Sequence, residues 1–238
     1  MNSRTNPERQ MTKRVEGPAK YDAIQAVKDL TKKETPRDRQ KHQRIQEILE
    51  VAVELFAKEG MSGFTMRRIA SMAGITLSTL QHHFGNQRNL LFVTINSIGA
   101  HYMQALSALA HDSALSPLKR FDKVVDRAIE WAADPILRCA YWELYILASK
   151  DADITKLVDD INSIYYDLLA EIVAEINPRL SATRAKIIGV LVATQIEGLA
   201  VFNQFGSSTK LRTARVTSAM RAGWMREVAQ LGEGLNSA

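Results

Sequence analysis

Apolar side chains recur at helical spacing in almost every segment after Pro36, and this repeat constrains the fold more than any other feature of the chain. In the first clear segment the apolar positions follow an i, i+3, i+4, i+7 pattern and are Ile45, Ile48, Leu49, Ala52, Leu55 and Phe56. No segment shows the strict alternation typical of a half-buried strand. The sparse Gly (12) and Pro (6) also argue against an all-β sandwich or barrel. The sequence therefore predicts an all-α protein.

Capping residues divide the chain into successive helices. The first helix is predicted to stop at Gly60, which is a plausible C′ glycine. Thr65 then caps a short helix over 66–72, Thr76 caps a second over 77–83, and Asn86 caps a longer one. Further helices are predicted to open at Pro117 and Ile136, after an Asp153 cap, at Ser181, and at about Lys210 beyond a break at 206–208.

Positive charge is concentrated in the front of the chain. Residues 1–90 contain 16 Lys and Arg against 10 Asp and Glu, whereas residues 91–238 contain 15 against 16. This distribution predicts a polyanion-binding module followed by a neutral one. Residues 1–36 form a basic extension that is predicted to be largely disordered, with a short helix over 19–33. The extension either contacts DNA or serves as a solubilising tail.

Several classes of function are disfavoured. The chain has a single cysteine, Cys139, which excludes an intramolecular disulfide and a Cys-based metal site. A lone cysteine among apolar helix residues is usually buried and inert. The chain lacks a glycine-rich phosphate loop, an H-x-x-x-H helix and a G-x-S-x-G elbow, so neither a catalytic site nor a metal or cofactor is expected.

A cytoplasmic location is expected. The N-terminus has no apolar run behind its charges, which predicts that there is no signal peptide. The most apolar stretch, Ile187 to Phe202, is interrupted by Gln195 and Glu197 and is too short for a bilayer.

The two short helices joined by the turn MAGIT (residues 72–76) carry the strongest functional signal. Ile69, Ala70, Ile75, Leu80 and Phe84 are expected to face inward. The outward positions of the second helix are Leu77, Ser78, Gln81 and His82, and none is acidic. A helix that enters the major groove must avoid carboxylates near phosphates, so the pattern favours a helix-turn-helix over an ordinary α-hairpin.

The extended pattern around this turn resembles the N-terminal domain of TetR-family transcriptional regulators. The matching positions are Ala52, Leu55, Phe56, Gly60, Thr65, Ile69, Ala70, Ala73, Gly74, Ile75, Thr76, Thr79, Leu80, His83, Phe84, Asn86 and Leu90. The resemblance implies a three-helix DNA-binding domain over 37–85, a helical ligand-sensing and dimerisation domain over 86–232, and a tail over 233–238. Gln81 stands where the family usually has Tyr, and Gln87 where it has Lys. Neither Gln carries a charge for counterion release, which lowers the expected DNA affinity.

The resemblance also implies which residues contact DNA. The residues implied for phosphates and the DNA backbone are Thr65, Arg67, His82, His83 and Gln87. The residues implied for base edges are Thr76, Leu77, Ser78, Thr79 and Gln81. Gln81 can make a bidentate contact to adenine, and Leu77 can pack on a thymine methyl. Arg68 either contacts a phosphate or pairs with an acid on the first helix.

The later helices combine apolar stripes with a few polar residues. Each polar residue there is either a satisfied core side chain or a ligand contact. As a set they predict a mainly apolar, aromatic-rich cavity. The ligand-contact candidates are His101, Tyr102, Trp131, Cys139, Trp142, Tyr145, Asn162, Tyr166 and Gln195.

The resemblance implies that the last two helices dimerise with a second copy, the alternative being burial within one protomer. The interface candidates are Ile188, Leu191, Gly198, Leu199, Phe202, Met220 and Trp224. The predicted function is a homodimeric repressor that a small, mainly apolar ligand releases from a palindromic operator in double-stranded DNA. Two alternatives are a DNA-binding architectural or partner-binding protein without a ligand switch, and a helical ligand-binding protein that has lost DNA binding.

Overall fold

The computed structural model of the protein describes residues 36–205 and 213–229, and all regular structure in these ranges is α-helical. The helices are α1 (Pro36–Gly63), α2 (Met66–Met72), α3 (Leu77–Phe84), α4 (Gln87–Ala110), α5 (Pro117–Ala133), α6 (Pro135–Ala148), α7 (Ala152–Ile176), α8 (Ala182–Phe205) and α9 (Thr213–Ala229). The predicted all-α fold is confirmed. The helix predicted at 19–33, the break at 206–208 and the tail at 233–238 lie outside the described residues.

Side-chain caps start the helices at the predicted positions. Thr65, Thr76 and Asn86 each accept a hydrogen bond from the backbone N–H three residues further on. The start of α7 differs from the prediction, because its N-cap is Asp151 and not Asp153. The Asp151 carboxylate accepts the N–H groups of Asp153 and Ile154 at 3.1 and 3.3 Å. It thereby satisfies two free donors of the first turn, so the helix begins before its apolar pattern does.

Gly60 marks a kink in α1, where the sequence predicted an end. Its φ of 59° is left-handed, and the helix resumes for one more turn to Gly63. A Cβ at Gly60 would lie 2.9 Å from Cδ of Glu143, a residue of α6. The kink therefore brings the end of α1 directly against α6.

The core of the helix-turn-helix is built from α1, α2 and α3. Ile48 and Ala52 of α1 are fully buried against Ile69 of α2 and Leu80 of α3. The turn between the short helices is closed by the N–H of Ile75, which donates to the carbonyl of Ala70 at 2.9 Å. Since α2 and α3 are only 7 and 8 residues long, this core and not helix propensity holds them in place.

The same core extends into the following helices. Leu90, Leu91 and Ile95 of α4 belong to it, and so do Ala140 of α6 and Ile154 of α7. The three helices α1, α2 and α3 thus share one packed interior with the helices that follow them.

A second core lies among α4, α5, α7, α8 and α9. It includes Phe121, Leu169, Val192 and Trp224. Helices α7 and α8 approach closely at Gly189, where an added Cβ would lie 2.8 Å from the carbonyl oxygen of Tyr166.

Helix α8 is more apolar than its neighbours. The apolar part of α8 extends beyond the run from Ile187 to Phe202: residues 182–202 have a mean hydropathy of 1.6 and are, by length and composition, able to cross a membrane. However, 44% of this window is buried inside the bundle. Core helices of soluble proteins have the same composition, and the inner face of α8 contributes Ile188, Val192 and Ile196 to the second core.

Candidate DNA-binding surface and effector cleft

The outer face of α3 is polar and free of carboxylates. Ser78, Gln81 and His82 are exposed on it, while Leu80 and Phe84 are buried beneath it. Leu77, Thr79 and His83 are half-buried along its edges. Neither α2 nor α3 contains an acidic residue. The face therefore has donors and acceptors for base edges and nothing that repels phosphates.

The hydroxyl groups of Thr76 and Thr79, at the start of α3, form hydrogen bonds within the helix N-terminus. The Thr76 hydroxyl accepts the Thr79 N–H at 3.1 Å, and the two hydroxyls are hydrogen-bonded to each other at 2.8 Å. Both residues lie on the predicted surface, but part of their hydrogen-bonding capacity is used in capping α3.

Arg67 and Arg68 are adjacent on α2 and have different environments. The two terminal guanidinium nitrogens of Arg68, Nη1 and Nη2, donate to the two carboxylate oxygens of Glu59 on α1. The sequence left open whether Arg68 contacts a phosphate or pairs with an acid on the first helix, and the structure has the pair with the acid. Arg67 is exposed and pairs with no described residue. Arg67 is therefore the cation of α2 whose charge is not neutralised within the described chain.

Thr65 and Gln87 also bond within the module. The Thr65 hydroxyl accepts the Arg68 N–H at 3.4 Å. The Gln87 side-chain amide donates to the carbonyl of Phe64 at 2.6 Å. A Lys at position 87 would lack the planar amide of Gln. The departure from the TetR pattern thus coincides with a contact that ties the start of α4 to the loop before α2.

Two polar contacts connect this module to the bundle. The N–H of Met61 at the end of α1 donates to Oε1 of Glu143 on α6 at 3.0 Å. Arg88 of α4 pairs with Asp151 and Asp153 at the start of α7. The Arg88 guanidinium lowers the pKa of Asp151 to about 2. Because the ordinary Asp pKa is about 3.9, the stabilisation from this pair is complete above about pH 4 and is lost as the pH falls towards 2.

A cleft of about 500 Å³ lies between α6 and α8. Its lining residues are Tyr141, Trp142, Tyr145, Ile146, Ser149, Thr194, Glu197, Gly198 and Val201. The hydroxyls of Tyr141 and Tyr145 are hydrogen-bonded at 2.9 Å, and the Asn162 amide of α7 donates to the Tyr145 hydroxyl at 2.9 Å. Three of the predicted ligand residues, Trp142, Tyr145 and Asn162, are thus brought together here.

Glu197 on α8 is the residue of this cleft that sequence reasoning missed. Glu197 lines the cleft together with Tyr141, and burial raises the pKa of its carboxyl group. Burial, and in addition the charge of Glu197, raises the pKa of Tyr166 to about 12. The sequence does contain a signal for this residue, because Glu197 is an acid within the apolar stretch from Ile187 to Phe202. The sequence analysis interpreted it only as evidence that this stretch does not span a membrane.

The other predicted ligand residues lie elsewhere. Tyr102 stacks on Trp131 with ring centres 4.2 Å apart and meets Tyr165 edge-on at 5.8 Å, within the second core. His101 and Cys139 are exposed, so the expectation of a buried cysteine was wrong. Gln195 accepts the indole N–H of Trp224 at 2.8 Å and lines a separate groove between α8 and α9.

The residues predicted for a dimer interface fall into two groups. Ile188, Leu199 and Trp224 are at most 2% exposed in the protomer core and have no surface to offer a partner chain. The prediction that these three residues form a dimer interface was therefore wrong, and the alternative of burial within one protomer applies to them. Leu191 and Gly198 face outward, and Phe202 and Met220 are half-buried.

The outward face of α8 is a continuous apolar seam of small and aliphatic residues. Its members are Ile187, Leu191, Thr194, Gly198 and Val201, all exposed. They are separated by alternating steps of four and three residues, which is the spacing of a helix-packing seam.

Within residues 36–205 and 213–229, no three His, Cys, Asp or Glu side chains are grouped so as to hold a metal ion.

Comparisons with known proteins agree with this geometry. Residues 48–93 match the family model of bacterial regulatory proteins of the tetR family. An uncharacterized HTH-type transcriptional regulator in the dhlA 5′ region of Xanthobacter autotrophicus is 27% identical over 168 residues, 66% of this chain and 78% of that protein. The HTH-type transcriptional repressor AcnR of Corynebacterium glutamicum is 36% identical over 62 residues, 26% of this chain and 33% of that protein.

Among solved structures, that of a candidate TetR-family transcriptional regulator from Mesorhizobium loti matches with a TM-score of 0.66 at 16% identity. The match covers 82% of this chain and 98% of that chain, which shows that the fold is shared along nearly the whole of the other protein.

Proposed function

We propose that this chain, which belongs to the TetR family of transcriptional regulators, is a homodimeric repressor that a small ligand releases from a palindromic operator. A DNA-binding regulator is not an enzyme, and it acts in the cytoplasm on double-stranded DNA. The repressor role is supported by the similarity of 62 residues of this chain to AcnR, whose name describes it as a repressor.

The observation that carries the proposal is the composition of the α2–α3 surface. It combines an exposed, acid-free recognition helix with an arginine, Arg67, that has no partner within the described chain. An exposed cation beside a carboxylate-free helix face gives this surface the positive potential that binding of a polyanion requires.

Dimerisation is supported by the seam on α8. Leu191 is 39% exposed and Val201 is 46% exposed, and the Cβ position of Gly198 meets nothing within 4 Å in the protomer. A second copy packed across a two-fold axis would bury this seam against itself. Because Thr194, Gly198 and Val201 also line the cleft between α6 and α8, the second copy would form the outer edge of that cleft. Two recognition helices related by that axis would then read the two halves of a palindrome.

Ligand release is supported by the cleft between α6 and α8 and by the contact from α6 to α1. The cleft has the size and the mainly apolar lining of a small-molecule site. Helix α6 carries Tyr141 and Tyr145 in the cleft and Glu143 against the end of α1. A ligand that favours one position of α6 thereby changes the position of the DNA-binding module.

The proposal is tested with the operator selected by the full-length protein from random DNA, followed by binding measurements across a salt series. Arg67→Ala should weaken binding to all sequences and lower the salt slope by about one phosphate contact per protomer. Arg68→Ala is the matched control. Since Arg68 is paired with Glu59, its loss should change the slope less.

Selection of no preferred sequence, or salt-independent binding, would contradict a sequence-specific DNA-binding function. An equal change of slope in both variants would show that Arg67 has no special part in phosphate binding.

A further inference from the structure

Glu197 is a half-buried acid without a counter-ion. No Lys, Arg or His of the described chain forms an ion pair with it, and no basic residue lines the cleft that it faces. The uncharged phenol groups of Tyr141 and Tyr145 line the cleft beside it. Withdrawing a carboxylate from water is costly unless a cation compensates it, and here the protomer supplies none.

Aromatic rings surround this carboxylate. Tyr141 and Tyr145 of α6 lie with ring centres 4.5 Å apart at 43°, and Trp142 lines the same cleft. Aromatic faces attract an ammonium group and do not attract an anion. Ile146 and Val201 supply apolar walls beside them.

An anionic ligand is disfavoured in this cleft by Glu197 and by the absence of a basic residue from the described lining. A phosphate or carboxylate in the cleft would meet the Glu197 charge with no guanidinium or ammonium to balance it. A purely neutral ligand would leave Glu197 buried more deeply and still unpaired.

We propose that the cleft between α6 and α8 binds an organic cation, with the Glu197 carboxylate as counter-ion and the rings of Tyr141, Trp142 and Tyr145 against the charged nitrogen. The volume of about 500 Å³ fits a quaternary or protonated amine that carries one aromatic or aliphatic substituent. This inference rests on the proposed function for the consequence of binding, but binding itself is independent of DNA.

The test uses a pair of probes that differ in one atom. The trimethylammonium group of (3-hydroxyphenyl)trimethylammonium becomes a tert-butyl group in 3-tert-butylphenol, which has the same shape and no charge. Calorimetric titration of the full-length protein should show at least tenfold tighter binding of the cation. Glu197→Gln should weaken the cation at least tenfold and leave the phenol nearly unchanged. Glu50→Gln, at an exposed position on α1, is the control for a general loss of negative charge.

Equal affinity for the two probes in the wild-type protein would overturn the inference, as would the absence of measurable cation binding. The wild-type comparison requires no variant, so it remains decisive even if Glu197→Gln fails to fold. Operator binding is measured separately with each probe. Cation binding without operator release supports the cation site and contradicts the ligand-released repressor. Operator release by both probes at equal affinity supports the repressor and overturns the cation site.

Discussion

Thr76 and Gln81 lie on the same surface of α3, yet they are not equivalent as DNA contacts. The Thr76 hydroxyl already bonds to the backbone and to the side chain of Thr79, since it caps the helix. The side chain of Gln81 is exposed and bonds to no described residue, so its whole side-chain amide is available to a base. Replacing Thr76 would disturb the cap and the surface together, whereas replacing Gln81 alters only the surface.

We expect Gln81→Ala to relax the base preference at one position of each half-site. A lost bidentate contact to adenine corresponds to about 1–3 kcal/mol of discrimination. The change is measured as the ratio of affinities for the selected operator and for single-base variants of it. Gln104→Ala, which removes an exposed glutamine from α4, should leave the ratio unchanged. An unaltered preference in Gln81→Ala would show that this side chain does not read a base.

At the scale of the element, α8 has two faces that serve different purposes. Its inner face approaches α7 at Gly189, where backbone atoms of Tyr166 and Ala170 lie 2.8 and 3.1 Å from the position of an added Cβ. Its outer face carries Gly198, whose Cβ position is open. The two glycines share one helix and differ only in what lies opposite them.

We expect Gly189→Ala to destabilise the protein by about 1–3 kcal/mol, because the methyl group meets backbone that cannot rotate away. Gly198→Ala should be neutral or slightly stabilising within the protomer, since Ala has the higher helix propensity by about 1 kcal/mol. Urea denaturation at several protein concentrations measures both effects. Full stability of Gly189→Ala would contradict the close packing of α7 and α8. A loss of stability in Gly198→Ala that depends on concentration would come from a partner copy on the outer face.

At the scale of the whole molecule, α6 is the element shared by the cleft and the DNA-binding module. Tyr141 and Tyr145 line the cleft, and Glu143 between them accepts the Met61 N–H at the kinked end of α1. Helix α4 follows the DNA-binding module directly along the chain and is therefore the covalent link between the module and the bundle. The structure adds a second link, through space, from α6 to α1.

We expect Glu143→Ala to uncouple the two sites. Ligand affinity and operator affinity measured separately should stay close to those of the wild type. The reduction of operator affinity by ligand, typically about 5–150-fold for a coupling of 1–3 kcal/mol, should shrink. Glu143→Gln keeps an acceptor oxygen for the Met61 N–H and should retain most of the coupling. Unchanged coupling in Glu143→Ala would assign the transmission to α4 and the shared core.

Much of the fold was predictable because the relevant contacts are local in sequence. The caps at Thr65, Thr76 and Asn86 each join residues three apart, and the apolar stripes repeat within four. A single helical turn contains all the information for such features. The positions of the short helices, and the polar outer face of α3, therefore followed from the sequence.

Only the tertiary structure decided with which of several chemically suitable partners each side chain forms an ion pair, a hydrogen bond or a packing contact. Arg68 had acids and phosphates as alternatives, and the packing of α1 against α2 brings Glu59 to it. Trp224 was predicted to lie in a dimer interface, with burial as the alternative, and it is 2% exposed in the protomer core, where its indole N–H donates to Gln195. Glu143 lies 82 positions from Met61, and Glu197 meets Tyr141 from a different helix. Such contacts depend on the angle and register of packed helices, which no local pattern of residues encodes.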